Sequence, residues 1–197
     1  VIHLARIDQV KSLIAFSPDD PSVDGLLYAL IEEVSKAMQD YLCRWIQRDT
    51  YTEYFSVQYN RTIYQLSAYP VSSISSVHNA TDWDWDTESE VDDDCYTVDT
   101  EAGLLYIERW TLVSGYRALR VIYSGGMAAD TEELIASYPD LSMACARQVG
   151  YLWQMRTKPG AASVSSGQGT VSRNVDGYWL PEVKPVLDRY RCRRVTE

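Results

Sequence analysis

The sequence predicts an α+β protein: a small α-helical bundle with an inserted antiparallel β-sheet or hairpin region and a C-terminal helical arm. Three observations predict it. An apolar stripe of helical period runs from Val23 to Trp45. Near residue 50 the period changes to two, and runs rich in Tyr, Thr, Val and Ile follow, separated by turn residues, as far as Tyr123. Helical periodicity then returns between Leu141 and Trp153. Neither helical part has the apolar surface for a core of its own, so the two are expected to pack on each other.

The first element is short. Leu4, Ile7, Val10 and Leu13–Ile14 recur at helical spacing before Ser17-Pro18-Asp19-Asp20-Pro21 interrupts the chain. Asp20 suits an N-cap, and Pro21 suits a first helical position, where its missing N–H would have no partner anyway. The long helix follows, with Val23, Leu26, Leu27, Leu30, Ile31, Val34, Met38, Tyr41, Leu42 and Trp45 on one stripe. Strands are expected over 50–57, 61–67, 71–77, 95–99, 103–108 and 118–123, forming one antiparallel sheet of five or six strands. Ser124-Gly125-Gly126 ends that sheet. Thr131 is expected to cap a short helical turn, and Pro139-Asp140 opens a second helix that Pro159 stops.

Residues 160–177 are mostly Gly, Ser, Ala and Val. Such a stretch buries too little apolar area to offset its ordering entropy and is expected to be a flexible connection. A last helix is expected from about Lys184 to Arg194. It cannot run unbroken from Pro181, because Pro185 would remove a hydrogen bond and clash with the preceding turn. The expected organisation is therefore 1–48 helical, 49–126 an inserted β region, 127–158 helical and packed on 1–48, and 159–197 a Gly/Ser loop with a helical docking arm.

Composition narrows the function. The 197 residues are 46% hydrophobic and 23% charged, ordinary for a globular domain. Fifteen Tyr and six Trp stand against two Phe, a balance that suits half-buried sheets and interfaces. The formal net charge of -10 argues against a protein that grips nucleic acid by neutralising phosphates. No run is long and apolar enough to span a bilayer, and Val1–Lys11 lacks the apolar block of a secretory signal. Cys43, Cys95, Cys145 and Cys192 are scattered, without a C-x-x-C pair, and are expected to be free thiols. His3 and His78 have no sequence neighbour that suggests a nucleophile pair, and no zinc, phosphate-loop or hydrolase motif is present. The expectation is a protein that is not an enzyme and carries no cofactor.

One segment is unusual. Asp82, Asp84, Asp86, Glu88, Glu90, Asp92, Asp93 and Asp94 lie together, interleaved with Trp83 and Trp85, and no Lys or Arg occurs from Thr62 to Glu108. The spacing of Asp82, Asp84 and Asp86 imitates the start of a calcium loop, but Thr87 stands where such a loop needs Gly and Asp93 where it needs a bidentate Glu. On a strand, alternation would put both Trp side chains on one face and the carboxylates on the other. The alternative reading of the whole protein, an acidic binding module for calcium or a DNA mimic, is built on this segment.

Several stretches carry a resemblance. The long helix ending in Tyr41-Leu42, then Tyr69-Pro70-Val71-Ser72-Ser73-Ile74-Ser75-Ser76-Val77, follow one another in order. Next come Tyr96-Thr97-Val98-Asp99 with Gly103-Leu104-Leu105, then Tyr123-Ser124-Gly125-Gly126 leading to Pro139-Asp140-Leu141. Leu180-Pro181-Glu182-Val183 with Leu187 and Tyr190-Arg191 closes the series. In this order they resemble the head–tail connector (head-completion adaptor) family of tailed phages. The resemblance implies a structural subunit of the virion neck, assembled in the host cytoplasm into a ring that is commonly dodecameric. Such a ring joins the portal protein to the next neck, stopper or tail-completion protein and lets phage DNA pass through its lumen without specific binding. It further implies portal docking by the C-terminal arm, here Leu180, Pro181, Val183, Val186, Leu187, Tyr190, Arg191, Arg193 and Arg194. The acidic segment would then face the lumen or the rim.

Overall fold

The computed structural model describes residues 2–83, 85, 89–156, 163–166, 169–172 and 178–192. The chain divides into two compact units, Val1–Cys43 with Asp130–Arg191, and Arg44–Ala129 with Cys192–Glu197.

The first unit is helical: α1 (Ile7–Leu13), α2 (Asp24–Leu42), α3 (Thr131–Ser137), α4 (Pro139–Met155) and α5 (Lys184–Tyr190). Of the predicted stripe, Leu26 is exposed and Trp45 lies beyond the helix, whereas Leu27, Ile31, Val34, Met38 and Leu42 are inaccessible on the buried face of α2. Against it α4 places Leu141, Cys145, Val149 and Trp153. Ser35 of α2 belongs to the same face. Its hydroxyl accepts the Leu4 N–H (3.0 Å) and lies 3.8 Å from the Cys145 thiol. Asp20 caps, as expected, but what it starts is a three-residue 3-10 turn, Pro21–Val23, whose Ser22 N–H it accepts at 2.9 Å. Asp130, not Thr131, caps α3, accepting the Glu133 N–H at 2.9 Å. The Thr131 hydroxyl donates instead to the His3 carbonyl (2.9 Å).

Lys11 lies inside the unit, only 2% exposed, although its charge would place it outside. Its ammonium donates to the Pro18 and Asp20 carbonyls (2.8 and 2.7 Å) and pairs with Asp24 at 2.6 Å. Two carbonyls thus accept hydrogen bonds from its ammonium and a carboxylate pairs with its charge, which offsets the cost of burying it.

The second unit is the β region. The six strands among its described residues do not form one sheet. They form two three-stranded antiparallel sheets, with orders β1-β6-β3 and β2-β5-β4. The strands are β1 (Asp49–Val57), β2 (Ile63–Gln65), β3 (Val71–Asn79), β4 (Tyr96–Asp99), β5 (Leu104–Ile107) and β6 (Gly115–Gly125). A shared core joins the sheets, drawing Val77, Leu119, Val121 and Tyr123 from one and Tyr64 and Leu105 from the other. Splitting the strands this way buries one face of each sheet, which a single exposed sheet cannot do.

Within residues 160–177, expected to lack regular structure, Ser163–Ser166 (β7) and Gly169–Ser172 (β8) pair antiparallel, with Val164 in register with Val171. Backbone hydrogen bonds between the strands suffice for such a ladder, even in a run of small residues.

Candidate functional site

Two places in the fold hold the predicted site residues: the C-terminal arm in the helical unit and the acidic segment in the β unit.

The arm begins at a latch. Gln148 of α4 is fully buried. Its amide nitrogen donates to the Tyr178 carbonyl (2.9 Å) and its amide oxygen accepts the Leu180 N–H (3.1 Å). One side chain therefore satisfies backbone groups on both sides of Trp179, whose ring meets Tyr41 edge-on at 5.7 Å. The chain then turns at the Leu180 carbonyl, which accepts the Val183 and Lys184 N–H groups (both 3.0 Å), and enters α5 at Lys184 as Pro185 requires.

Val183 and Leu187, both expected on the docking surface, are completely buried in the helical unit. Val186 and Leu180 are half-buried and Pro181 is exposed. The Tyr190 hydroxyl donates to Asp140 (2.9 Å), which also pairs with Arg189 (2.9 Å). The Arg191 guanidinium lies over the Tyr41 ring at 5.0 Å. Lys184 pairs with Asp188 (2.6 Å), and the Tyr41 hydroxyl also donates to Asp188, so hydrogen bonds from both hold the Asp188 carboxyl below its ordinary range. Arg193 and Arg194 lie outside the described residues. Most of the arm's polar groups are thus used within the subunit; Pro181 and the guanidinium of Arg191 are presented outward.

In the acidic segment, Asp84, Asp86 and Glu88 lie outside the described residues. Trp83 is not in a strand and sits in the left-handed region with φ of 65°, so strand alternation does not set its direction. Trp83 and Trp85 nevertheless line one surface pocket of about 230 Å³, together with Tyr54 and Arg117. The Trp85 ring is 5.9 Å from Tyr54 and lies under the Arg120 guanidinium at 5.0 Å, and Arg117 covers Tyr54 at 4.5 Å. The Trp83 indole donates to the Tyr116 carbonyl (3.4 Å). The chain returns along the free side of β3. Glu90 bridges His78, the Val91 N–H donates to Val77 (2.8 Å), and Val91 is buried. His78 Nδ1 lies 3.2 Å from the Ser89 hydroxyl.

Asp92, Asp93 and Asp94 are exposed on the turn that follows, and Asp93 accepts the Tyr96 hydroxyl at 2.7 Å. Asp92, Asp94 and Cys95 bring one ligand atom each within 4.8 Å. The Cys95 thiol donates to the Asp94 carboxylate there (3.4 Å), and burial first and that carboxylate next push the thiol up.

Sequence reasoning missed the guanidinium groups. Tyr54, Arg117 and Arg120 lie on strands far from the acidic run in sequence, and only the β1-β6 register, Tyr54 opposite Arg120, brings them beneath Trp85.

Those motifs of the resemblance that lie in the β unit, around Tyr69-Pro70-Val71, Gly103 and Tyr123–Gly126, meet at one corner of it. The Gly126 N–H donates to the Pro70 carbonyl (3.0 Å), and the Ala68 N–H donates to the Tyr123 hydroxyl (2.8 Å), which itself donates to Glu53. Leu66 N–H donates to Gly103 and Val71 N–H to Thr100, both at 2.8 Å. Tyr69 lies under the buried Arg44 guanidinium, 3.4 Å from its ring centroid. These motifs build the fold.

No family model and no curated protein matches this sequence. Solved structures do. The fold is similar to a chain in the virion of a native gene transfer agent particle, at 14% identity and a TM-score of 0.62, over 96% of this chain and 89% of that one. It is similar to a chain in the neck of the empty particle, computed with C6 symmetry, at 12% identity and a TM-score of 0.64, over 98% and 92%. A chain in the neck of the native particle, computed with C12 symmetry, gives 12% identity and a TM-score of 0.58, over 100% and 95%. At these identities the likeness is one of fold, and it spans both units.

Proposed function

We propose that the chain is a structural subunit of a phage-like virion neck, one copy of an adaptor ring joining the capsid portal to the next neck, stopper or tail protein around the DNA channel. The observation that carries this reading is the full-length agreement in fold with neck chains, helical unit and β insert alike. The symmetry of those necks supports a ring, and we take its number as twelve. An adaptor of this kind works by shape and surface and has no catalytic role. Among the described residues no helix is long and apolar enough to cross a membrane, which accords with a place in the particle neck.

On this reading Pro181 and Arg191, exposed on the arm, face the portal, and Arg193 and Arg194, which follow in the sequence, add charge to that docking. Val183 and Leu187 serve indirectly by holding α5 to the helical unit. The acidic segment from Asp82 onward lines the lumen or the rim, where like charge keeps DNA from adhering. The test is assembly. Mixed with the portal ring of its own particle, the chain should co-sediment and add a twelvefold layer in electron micrographs. A chain that neither co-sediments nor forms a ring would defeat the proposal.

A further inference from the structure

Two separate surfaces of one sheet in the β unit carry different chemistry. Over β1 and the central strand β6 lies the aromatic and guanidinium patch: Tyr54, Trp83 and Tyr116 are 39%, 56% and 72% exposed, and Arg117 is exposed beside them. Exposed Tyr and Trp clustered with Arg are the residue types enriched at the centre of protein interfaces. They are unexpected on a free surface of this size. At the other side of the sheet, beyond β3, the chain runs through Glu90 and Val91 into the exposed Asp92–Asp94 turn. From Arg117 on β6 to that chain is two strand spacings across and four residues along the strand, about 16 Å. A side chain of one copy cannot bridge the two patches through its own sheet, but two adjacent copies can bring them together.

We propose that the patch around Tyr54, Trp83 and Arg117 receives the Asp92–Asp94 turn of a second copy of this chain. This rests on the ring reading and names its subunit contact. The occupant follows from charge: on a chain of net charge -10 the patch offers exposed guanidinium, and the turn offers exposed carboxylate. The contact joins two different surfaces, so it is head-to-tail, the kind that closes into rings of any number. It also takes Asp92 and Asp94 out of the set that faces lumen or rim.

Two charge-reversed chains test it, Arg117→Glu and the double variant Asp92→Lys with Asp94→Lys, each checked for native circular dichroism. In sedimentation velocity across a concentration series the wild-type chain should self-associate. Each variant alone should associate at least about tenfold more weakly. Their equimolar mixture should recover, because the introduced glutamate then meets the introduced lysines, and native Arg117 meets native Asp92 and Asp94, at alternating contacts. Variants that associate alone as the wild type does would overturn this contact and leave the ring reading standing. A wild-type chain that stays monomeric throughout would overturn this contact; the ring reading falls only if the chain also adds no layer to the portal ring.

Discussion

At the scale of single residues, space and burial decide most. A Cβ added at Gly125 would lie 2.3 Å from the Ala68 carbonyl oxygen, in backbone that cannot yield. Gly125→Ala should therefore cost about 2–4 kcal/mol in urea unfolding, the range of severe packing errors. Gly25 meets nothing within 4 Å and lies in the first turn of α2. Gly25→Ala should stabilise by about 0.5 kcal/mol, through helix propensity and reduced freedom of the unfolded chain. The Cys145 thiol gives a pH signature. Burial pushes it up to about 12 from an ordinary value of 9.0, partly offset by the Ser35 hydroxyl. Below pH 9 both states hold the proton and its contribution is complete. Between 9 and 12 only the unfolded thiol ionises, so stability falls as pH rises. Buried Tyr123, also raised by burial and by Glu53, acts in the same direction. Cys145→Ala should flatten the alkaline loss, read as unfolding midpoint against pH. In the native protein, exposed Cys43 should react with an alkylating reagent while Cys145 does not.

At the scale of elements, the arm makes the sharpest prediction. From sequence alone, truncation after Leu180 removes a docking arm and spares the fold. With Val183 and Leu187 fully buried, it removes about 3–6 kcal/mol of apolar burial. That is a large part of the roughly 5–15 kcal/mol typical of a domain. The truncated chain should melt early and bind a hydrophobic dye. Gln148→Ala leaves the Tyr178 carbonyl and Leu180 N–H without their partner and should cost about 2 kcal/mol. The helices themselves were legible. The stripe of α2, the Pro139 start of α4 and the Pro185-limited start of α5 all follow from local rules that tertiary contacts did not override. The strands were legible as segments, but not the sheets they join. A two-residue period says which face is buried and nothing about which neighbour pairs, so β5 could not be assigned to β2 and β4 from its own residues. Gln148 falls on the apolar stripe of α4 in the sequence and is buried there, but its two backbone partners could not be foreseen. Lys11 was unreadable, because a charged residue on a helix counts as solvent-facing until the backbone of 18–24 is seen to cover it.

At the scale of the whole molecule, the two units differ in how the chain supplies them. The β unit takes one continuous stretch, Arg44–Ala129, plus the chain's last residues, while the helical unit takes one piece from each side of it. A fragment of residues 44–129 contains six strands and their shared core. It should fold alone with β-type circular dichroism and a cooperative melt; a fragment that stays unfolded would show that the core needs more chain than it contains. The site divides the same way. The acidic run stood out in the sequence because its residues are consecutive. The guanidinium groups that meet its tryptophans did not, because they come from the far strand of the same unit.

The split origin of the helical unit also sets an order of events during synthesis. Its first piece leaves the ribosome early, with the apolar face of α2 uncovered, while α4 and α5 are still unmade. The continuous β unit can close in the meantime, as contiguous domains do. Leu187, completely buried in the finished core, emerges only after the whole of the β stretch Arg44–Ala129 has been made. The newborn subunit therefore passes through a stage with a formed β unit and a half-made helical one, and during that stage α2 is the face that chaperones must shield.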